Sequence, residues 1–350
     1  MKERDLKSLE YNKIKDKLNK KCISYIAKNI VKDLKPSTNI DIVKMYQKET
    51  TEAVSLILRK GAAPLFDIPN LDNAFSKVNI GAILNTKELL EIANVLSGSK
   101  RLKQYFKNEE LNKDDFNILK EYFENLYTNL NVEDEIFKCI KSEDLIDDRA
   151  SKNLYDIRRQ IRDSESKIKD KLNSILKSSS KYLQDAVVTF RNDRYVIPIK
   201  QEYKNEVPGL IHDSSASGST IFIEPTAIFN INNEIKELKI KEQIEIERIL
   251  ALLTQMVLPI VEDIKISINY VGKIDFAFAK ARLALDMKAQ KPLINNEGKI
   301  KPETHNDDEY ENEEESEGEA LGLFKRKSKV VQIAQPQQIK MKIAKPTNFD

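Results

Sequence analysis

Residues 182–225 have the sequence YLQDAVVTFRNDRYVIPIKQEYKNEVPGLIHDSSASGSTIFIEP. It predicts four short β-strands, at residues 187–190, 195–199, 209–212 and 220–223. The residues between the first two strands, 191–194, are Arg-Asn-Asp-Arg and predict a hairpin turn, because Asn and Asp tolerate turn conformations. The last two strands flank the serine-rich residues 214–219. Pro198 has no backbone N–H, so its strand is predicted to lie at a sheet edge or to carry a bulge.

Two long helical patterns flank this β segment. Before it, an isoleucine-rich heptad pattern fills residues 154–175 and is typical of one arm of a coiled coil. After it, a second heptad pattern fills residues 228–256 and is interrupted at Glu242 and Glu245. Pro259 is predicted to end or kink this second helix. We expect the two helices to run antiparallel, as a stalk that carries the β segment as a knob at its tip.

The rest of the chain divides into a helical part and a part without a folding pattern. Residues 1–150 place apolar side chains three and four positions apart, which predicts a helical core. Within it, Thr86 is predicted as a helix N-cap. Residues 261–292 predict a return to the core. Residues 303–319 hold ten acidic and no basic residues, so residues 293–350 are predicted to be an acidic linker with a poorly ordered tail.

Composition excludes several classes of protein. The 350 residues are 33% charged and 40% apolar, with two cysteines and two histidines. This is typical of a helix-rich soluble protein without a disulfide framework or a zinc site. The N-terminal residues show no secretory signal pattern, and the longest apolar stretch, residues 251–261, is far shorter than the roughly 20 residues of a membrane span. We therefore expect a cytoplasmic protein with no membrane partner.

The net charge conceals an asymmetry along the chain. The whole chain is +2, but outside residues 303–319 its 58 basic and 46 acidic residues leave +12. A basic body is compatible with nucleic-acid binding without requiring it. The knob itself is not basic, since residues 181–225 hold five Lys or Arg and six Asp or Glu. Bulk charge therefore does not draw a partner to the knob, although single contacts from its cations remain open.

Few residues are arranged for catalysis. His212, Asp213 and Ser214 are the residue types of a hydrolase triad, but neighbours on a strand point to opposite faces, so a strand-end turn is the favoured interpretation. The loop at residues 214–219 has backbone N–H groups that could hold a phosphate. The phosphate-loop pattern GxxxxGK[ST], however, occurs nowhere in the chain. The sequence predicts no catalytic residue and no metal site.

The first heptad helix carries a cluster of arginines. Arg158, Arg159 and Arg162 lie within about one turn of one another. They form either a solubilising edge, which is the favoured interpretation, or an edge that faces phosphates. Just before this helix, Asp147 and Asp148 are interpreted as caps of the helix, near Ser151, rather than as metal ligands.

These segments together resemble a known family. Residues 182–225 closely resemble the bacterial MutS paralogue of the second subfamily, which has a MutS-like core, lever and clamp but lacks the mismatch-reading N-terminal domains. The similarity continues through LEYNKI, LKPST, NNEIKELKIKE and DFAFAKARLALD, which are residues 9–14, 34–38, 232–242 and 275–286. It covers about residues 1–300.

The resemblance implies a fold class that is mainly α with a small antiparallel β insertion, in the form of a MutS-like helical core plus lever helices and clamp. The implied order is a helical core at 1–150, an ascending lever helix at 151–181, a β clamp at 182–225, a descending lever helix at 226–260, a return to the core at 261–292, and the acidic linker and tail at 293–350.

The resemblance also implies a function. Members of the family look like homodimeric, ring-shaped ATPases whose levers and clamps encircle a partner that contains nucleic acid. Their roles are suppression of homologous recombination, through DNA binding and a C-terminal endonuclease, and rescue of stalled ribosomes. The expected partner is DNA or the ribosome with its rRNA, bound by a homodimer or a heterodimer with a full-length MutS paralogue. The expected contacts are Arg191, Arg194, Lys200, Lys204, His212, Ser214 and Ser217 of the clamp and, if the lever edge faces phosphates, Arg158, Arg159 and Arg162.

The chain departs from the family pattern after KPLINNEGKIKP, residues 291–302. There the family continues to an ATPase domain and a nuclease, whereas here the acidic tract follows. ATP and magnesium are therefore expected only for that family domain, no cofactor is expected in this chain, and its status as an enzyme stays open. The tail, residues 322–350, resembles the region where the linker of the cell-division protein SepF enters its folded domain. Two alternatives remain: a dimerisation or regulatory module acting through full-length MutS paralogue, and a division-protein adaptor acting through the tail.

Overall fold

The structure is a computed structural model, and it describes residues 3–107, 116–294 and 300–301. Helices dominate these residues and a small antiparallel sheet interrupts them, so the mainly α class with a small antiparallel β insertion is confirmed. The acidic tract and the SepF-like tail lie outside the described residues, and their predicted states stay predictions. Contacts divide the chain into two units, the first with residues 1–70, 94–129 and 261–350 and the second with residues 71–93 and 130–260.

The helices are α1 (Glu3–Ser8), α2 (Tyr11–Asn19), α3 (Tyr25–Asp33), α4 (Ile40–Lys60), α5 (Asp72–Asn79), α6 (Thr86–Phe106), α7 (Asn117–Glu124), α8 (Leu130–Cys139), α9 (Lys152–Ser178), α10 (Thr226–Val257) and α11 (Val261–Asp286). The strands are β1 (Ile140–Ser142), β2 (Leu145–Ile146), β3 (Thr189–Arg191), β4 (Arg194–Lys200), β5 (Gly209–Ser214), β6 (Thr220–Pro225), β7 (Leu293–Ile294) and β8 (Ile300–Lys301). Pro259 lies in a short 3-10 helix, Leu258–Ile260, directly after α10. The predicted end of the second heptad helix is therefore confirmed.

The first unit is built around α11, which packs against α3, α4 and α7. Its Phe276 and Phe278 are each 1% exposed. Asp275 is also buried, and its Oδ2 accepts hydrogen bonds from the N–H groups of Ile23 (2.8 Å) and Ser24 (2.7 Å) and from the Ser24 hydroxyl (2.9 Å). The carboxylate thus satisfies donors at the start of α3, where no preceding helical turn supplies acceptors.

The start of α6 corrects one prediction. Thr86, expected as the N-cap, is the first helical residue, and Asn85 caps the helix instead. Asn85 Oδ1 accepts from the Glu88 N–H (2.8 Å), and Glu88 Oε2 accepts from the Asn85 N–H (3.0 Å). This reciprocal pair is a capping box. Because Asn and Thr both cap helices well, the sequence pattern did not distinguish the two neighbours.

The second unit contains the helix–sheet–helix arrangement that the heptad patterns predict. Residues near the start of α9 meet residues far along α10, and residues near the end of α9 meet the start of α10. The contacts that establish this order pair Asn153 with Glu245, Arg158 with Glu242 and Lys171 with Ala227. The two helices therefore run antiparallel, as predicted.

The sheet between these helices has four antiparallel strands in the order β3–β4–β6–β5. Asn192 (φ 47°) and Asp193 (φ 61°) form the two-residue turn between β3 and β4, and both are left-handed, as a type I′ hairpin requires. The predicted hairpin is confirmed. The register of β5 against β6 shifts between Ile211 and Asp213, so His212 is the extra residue of a β-bulge.

Pro198 lies in β4, which is an inner strand without a register shift against β6. The prediction of an edge strand or a bulge is therefore wrong. The carbonyl of Pro198 accepts from the Gln184 N–H (3.0 Å) on the side of β4 that faces β3. Pairing with β3 has already ended at Val196. The missing N–H of Pro198 falls where no ladder hydrogen bond is needed, which is why an inner strand tolerates it.

Candidate nucleic-acid interface

The clamp sheet, formed by β3 to β6, is held on the lever helices α9 and α10 by one face. Alternate residues of a strand point to the same side, and one such set from β4 and β6 is at most 4% exposed: Ile197, Ile199, Ile221 and Ile223. These side chains pack with apolar residues of both levers, among them Ile168 and Leu172 of α9 and Ile228 and Ile235 of α10. Val196 and Glu224, which belong to the opposite set, are also 0% exposed, so a partner has access to the strand edges and the turns.

A buried carboxylate joins the clamp sheet to α10. The side chain of Glu224 is fully buried, and Arg194 donates to both of its oxygens from Nη1, at 2.7 and 2.9 Å. His212 Nε2 lies 2.5 Å from Glu224 Oε2, and Asn232 Nδ2 donates to Oε1 at 2.8 Å. Strands β4 and β5 and helix α10 thus converge on one group. Such partners are required, because a carboxylate buried without them is strongly destabilising.

Two of the predicted nucleic-acid contacts belong to this joint. The side chains of Arg194 and His212 are only 16% and 14% exposed. Arg194 also donates from Nη2 to Asn233 Oδ1 at 2.6 Å, and its guanidinium lies 5.5 Å from the centre of the Phe229 ring. Their polar groups are directed to the joint rather than to solvent. The structure does not favour them as phosphate contacts, and that role stays a prediction.

The sequence reasoning missed Glu224 and Asn232. The available signals were an acid inside the apolar run IFIEP and an asparagine within a heptad helix, because a buried polar group must find a partner. Asn232 also bonds the backbone of Tyr195, accepting from its N–H at 3.3 Å and donating to its carbonyl at 3.2 Å. Neither signal identifies the residues that bond Glu224 and Asn232, because these residues lie 8 to 37 positions away in the sequence.

The other predicted contacts gather at the opposite end of the sheet. Lys200, the last residue of β4, pairs in register with Thr220. The loop at residues 214–219 lies beside it, because the Gln201 N–H donates to the Ser219 carbonyl at 3.0 Å. The predicted contacts at this end are Lys200, Lys204, Ser214 and Ser217, all of them exposed or partly exposed. The structure therefore places Lys200 and Lys204 at the end of the sheet that carries the loop at residues 214–219, which we call the serine loop.

The serine loop is not a nucleotide-binding loop. The Gly218 N–H donates to the Ser215 carbonyl at 2.8 Å, and Gly218 is left-handed with φ 67°. The loop joins two antiparallel strands, whereas a phosphate loop leads into a helix whose N-terminus holds the phosphate. The serine loop therefore lacks the geometry of a phosphate loop.

His212, Asp213 and Ser214, which are the residue types of a hydrolase triad, make separate contacts. His212 is turned to Glu224, while the Ser214 N–H bonds the Asp213 carboxylate at 2.8 Å. Ser214 is the last residue of β5. The three residues therefore form the end of strand β5 itself, and the turn that was predicted at this place begins only after Ser214.

Arg191, the last residue of β3, is a predicted clamp cation whose guanidinium is accessible. Its side chain is 49% exposed, and its Nε lies 4.0 Å from Asp213 Oδ2. The guanidinium also lies 4.9 Å from the centre of the Phe222 ring, which orients it by a cation–π contact. An arginine held in this way keeps donors free for a phosphate or a base edge.

The three lever arginines differ in accessibility. Arg158 donates to Glu242 and to Asp148, at 2.7 Å in both cases, and its side chain is 17% exposed. Arg162 donates to the same Asp148 at 3.1 Å but is 54% exposed, and Arg159 is 66% exposed. Hydrogen bonds, the strongest from Arg158, hold the pKa of Asp148 below its ordinary value. Arg158 is thus engaged within the second unit, while Arg159 and Arg162 face solvent.

The two aspartates before α9 have separate roles. Asp147 Oδ1 accepts from the Arg149 N–H at 2.8 Å and caps a short 3-10 helix, Asp148–Ala150. Hydrogen bonds from Arg149 lower the pKa of Asp147 to about 2. The predicted capping of α9 by these two aspartates is wrong, because Asp147 caps the 3-10 helix, Asp148 pairs with the lever arginines and Ser151 is the N-cap of α9. In the part of the chain that the structure describes, no group of three or more His, Cys, Asp or Glu residues is placed to hold a metal ion.

Glu245 accounts for one of the interruptions in the second heptad pattern. Its side chain is 5% exposed and accepts from Arg248, at 2.6 and 2.9 Å, from the Ser151 hydroxyl at 2.6 Å and from Asn153 at 2.9 Å. Ser151 is also the N-cap of α9, accepting from the Leu154 N–H at 3.0 Å. Hydrogen bonds from Arg248, then from Ser151 and Asn153, lower the pKa of Glu245 to about 2. A polar residue of α10 thus anchors the start of α9.

Other proteins match this chain over most of its length. It is 50% identical over 302 residues to the endonuclease MutS2 of Acetivibrio thermocellus, an alignment that covers 86% of this chain and 38% of that protein. The proteins of the same name from Ruminiclostridium cellulolyticum and Clostridium perfringens are each 44% identical, again over 86% of this chain and 38% of their own length. Over this region the chain belongs to the MutS2 family.

The resemblance carried by residues 182–225 is thereby confirmed. The chain spans about 38% of the length of the MutS2 relatives it matches, so the activities of whole MutS2 proteins are not transferred to it as findings. No family model matches the chain. Among the described residues, no helix combines the length and the apolar character needed to cross a membrane.

Proposed function

We propose that the lever helices and the clamp sheet grip a partner that contains nucleic acid. One observation carries the proposal: a small sheet held between two antiparallel helices, in a chain 41–50% identical to proteins named endonuclease MutS2. Arg191, Lys200 and Lys204 are the accessible cations of the clamp and would contact backbone phosphates. Exposed Ser214 and Ser217 would donate hydrogen bonds to phosphate oxygens beside Lys200.

The partner we propose is DNA or the rRNA of the ribosome, in recombination suppression or in the rescue of stalled ribosomes. Both partners place the chain in the cytoplasm. Encircling a nucleic acid needs two clamps, so the proposed binding form is a homodimer or a heterodimer with full-length MutS2. We assign no ATPase or nuclease step to the residues of this chain.

Binding measurements on the full chain test this proposal. A labelled four-way DNA junction, a labelled duplex and intact ribosomes are offered at 50 mM salt, a concentration at which phosphate contacts are strong. We expect binding to at least one of them. Replacing Lys200 and Lys204 together by Gln is expected to weaken it about tenfold, which corresponds to about 1.4 kcal/mol.

A matched control separates site effects from a general loss of charge. Lys35 is exposed in the first unit, and Lys35→Gln is expected to leave binding unchanged. Absence of binding to all three partners at low salt would contradict the proposal. Equal weakening by Lys35→Gln would move the binding site away from the clamp.

A second candidate is a dimerisation or regulatory module that acts through full-length MutS2. The observation that favours it is that the clamp has no net positive charge, since acids outnumber bases in residues 181–225 and Arg194 is paired with Glu224. This candidate predicts co-purification with a full-length MutS2 and little nucleic-acid affinity of the chain alone. The division-protein adaptor rests on residues 322–350, and grafting these residues onto a neutral carrier tests whether they bind a division protein.

A further inference from the structure

An exposed phenylalanine lies at the edge of the clamp sheet, beside the lever helices. Phe190 belongs to β3, the outermost strand of the sheet, and its side chain is 45% exposed. Among the described residues, only Phe190 and Phe229 are exposed phenylalanines, and the Arg194 guanidinium already lies over the Phe229 ring. The Phe190 ring is therefore the phenyl surface of the clamp that is open to a partner.

Two contacts hold the Phe190 ring in place. Phe190 pairs directly with Tyr195 of β4, and the centres of the two rings are 5.2 Å apart in an edge-on arrangement. Tyr195 in turn packs on the apolar cluster that joins the sheet to the levers. Lys239 of α10 places its Nζ 5.2 Å from the centre of the Phe190 ring. Phe190, Tyr195 and Lys239 thus form a notch between β3 and α10, which we call the β3 notch.

Helix α9 borders the same notch. Burial, and then the charge of Glu165 and a hydrogen bond with it, raise the pKa of the Tyr195 hydroxyl, so Glu165 of α9 lies beside Tyr195. Lys169 follows Glu165 by one turn and lies on the same face of α9. Lys169 and Lys239 are both exposed, and neither forms an ion pair among the residues that the structure describes. One exposed cation from each lever helix therefore accompanies the aromatic ring.

An aromatic ring with cations beside it has the chemistry of a single-strand binding site. An unpaired base stacks on such a ring, and the phosphates on either side of the base contact the cations. Bases within a duplex are already stacked on their neighbours, so they do not offer a free face to the ring. An apolar peptide needs a broader apolar surface than one ring, and it would leave the two lysines without partners. The occupant that the notch fits is therefore an unpaired nucleotide.

We propose that the β3 notch binds an unpaired nucleotide of single-stranded DNA or RNA. The base would stack on Phe190, and the flanking phosphates would contact Lys239 and Lys169. This inference rests on the proposed function and narrows the partner to a nucleic acid that presents unpaired nucleotides. Such nucleotides occur in single-stranded DNA and in the loops, bulges and ends of RNA.

A tryptophan placed in the notch tests the stacking. The chain contains no tryptophan, so Phe190→Trp in the full chain supplies a single indole there, and a base stacked on an indole quenches its fluorescence. The probes are oligothymidylate for DNA and oligouridylate for RNA, each of about 15 nucleotides, at a salt concentration of about 50 mM. We expect quenching by at least one of them. The matched control is Tyr155→Trp, because Tyr155 of α9 is also 45% exposed, and it is expected to show little quenching.

Affinities for the same oligonucleotides provide the second arm, measured by fluorescence anisotropy of the labelled strands. Phe190→Ala is expected to weaken single-strand binding about tenfold, as the loss of one stacked base does. Phe190→Tyr keeps the ring and is expected to keep the affinity, and Tyr155→Ala is expected to leave it unchanged. Lys239→Gln is expected to make the salt dependence shallower by about 0.7, which corresponds to one single-strand phosphate. Duplex affinity that is unchanged in Phe190→Ala shows that the clamp of this variant is folded.

The outcomes distinguish this inference from the proposed function. If a duplex, the four-way junction or ribosomes bind but neither oligonucleotide quenches Phe190→Trp, this inference is overturned and the proposed function stands. Equal quenching of Phe190→Trp and Tyr155→Trp would also overturn it, because the base would then have no preferred ring. Quenching by a polyglutamate peptide in place of the oligonucleotides would assign the notch to an acidic protein segment. If the chain binds no nucleic acid at all, both proposals fail.

Discussion

Glu224 is the residue on which the polar contacts of the clamp converge. Its partners come from β4, β5 and α10, and its side chain is fully buried. The inner face of the sheet is held on the levers by non-directional apolar packing. Glu224 adds directional bonds, so it sets the orientation of the strands relative to α10 rather than only their burial.

Glu224→Gln is expected to destabilise the clamp by about 2–4 kcal/mol, because Arg194 and His212 lose a buried anionic partner. Hydrogen exchange of the β4 and β6 amides measures this as faster local opening. The control is Glu234→Gln, an exposed position on α10, which is expected to stay within about 0.5 kcal/mol of the wild type. Unchanged protection of β6 in the Glu224 variant would show that the joint is not structural.

The hairpin turn between β3 and β4 supports a second prediction, which concerns substitutions of Asp193. Asp193 is left-handed with φ 61°, a conformation that costs a residue with a Cβ roughly 1–2 kcal/mol and costs glycine little. Asp193→Gly is expected to stabilise the hairpin by about 0.5 kcal/mol, after the greater chain entropy of glycine is subtracted. Asp193→Val is expected to destabilise it by more than about 1 kcal/mol. Exchange rates of the β3 and β4 amides report both, and a shift of both variants in the same direction would refute the argument.

At the scale of elements, the lever helices are held together by an apolar seam with polar positions inside it. Ile157, Ile161 and Leu238 form one apolar layer, and Glu242 and Glu245 lie farther along α10. Glu242 pairs with Arg158, and Glu245 bonds the first residues of α9. Polar seam positions of this kind specify the register of two helices, because a shifted register would leave their charges without partners.

This geometry predicts a pH dependence for the lever pair. Folding lowers the pKa of Glu245 from its ordinary value of 4.5 to about 2. The stabilisation is therefore present in full above pH 4.5 and is lost as the pH falls through about 2. Thermal unfolding of the wild type and Glu245→Gln is expected to differ at neutral pH, with the difference shrinking as the pH falls from about 4.5 towards 2.

The comparison variant for this experiment is Glu237→Gln. Glu237 is exposed on the same helix, so its replacement is expected to give a small difference in melting temperature. If the difference in melting temperature between the wild type and Glu245→Gln stays constant from neutral pH to pH 2, ionisation of Glu245 does not stabilise the levers.

At the scale of the whole molecule, charge is distributed unevenly along the chain. Residues 303–319 hold ten acids and no Lys or Arg, and the rest of the chain is +12. The clamp is the exception within that basic remainder, and its accessible cations are few. Binding to a phosphate backbone is therefore expected to depend on a small number of contacts rather than on a broad basic surface.

The change of the dissociation constant with salt concentration measures the number of phosphate contacts. If Arg191, Lys200 and Lys204 each contact one duplex phosphate, the dissociation constant is expected to rise roughly 40-fold between 50 and 200 mM salt, from a slope of about −0.9 per contact. Fluorescence anisotropy with a labelled duplex gives the slope. Arg191→Gln is expected to make it shallower by about one contact, and an unchanged slope would remove Arg191 from the interface.

Local sequence patterns predicted the lever helices and the clamp strands of the second unit, and the family of the chain. Heptad spacing predicted α9 and α10, alternation and turn residues predicted the strands and the hairpin, and residues 182–225 carried the resemblance to MutS2. These features are local, because helix seams, strand alternation and turn conformations depend on residues a few positions apart. Where neighbouring residues have similar propensities, as Asn85 and Thr86 do, the local pattern did not choose between them.

Which charged residues are available to a partner depends on how distant elements pack together. Arg194 pairs with Glu224, 30 positions away, and Arg158 with Glu242, 84 positions away. An arginine already paired with a buried acid and an arginine open to solvent look alike in the sequence, because the neutralising group arrives only when distant elements pack together. The same packing made Arg191, Lys200 and Lys204 the accessible cations of the clamp.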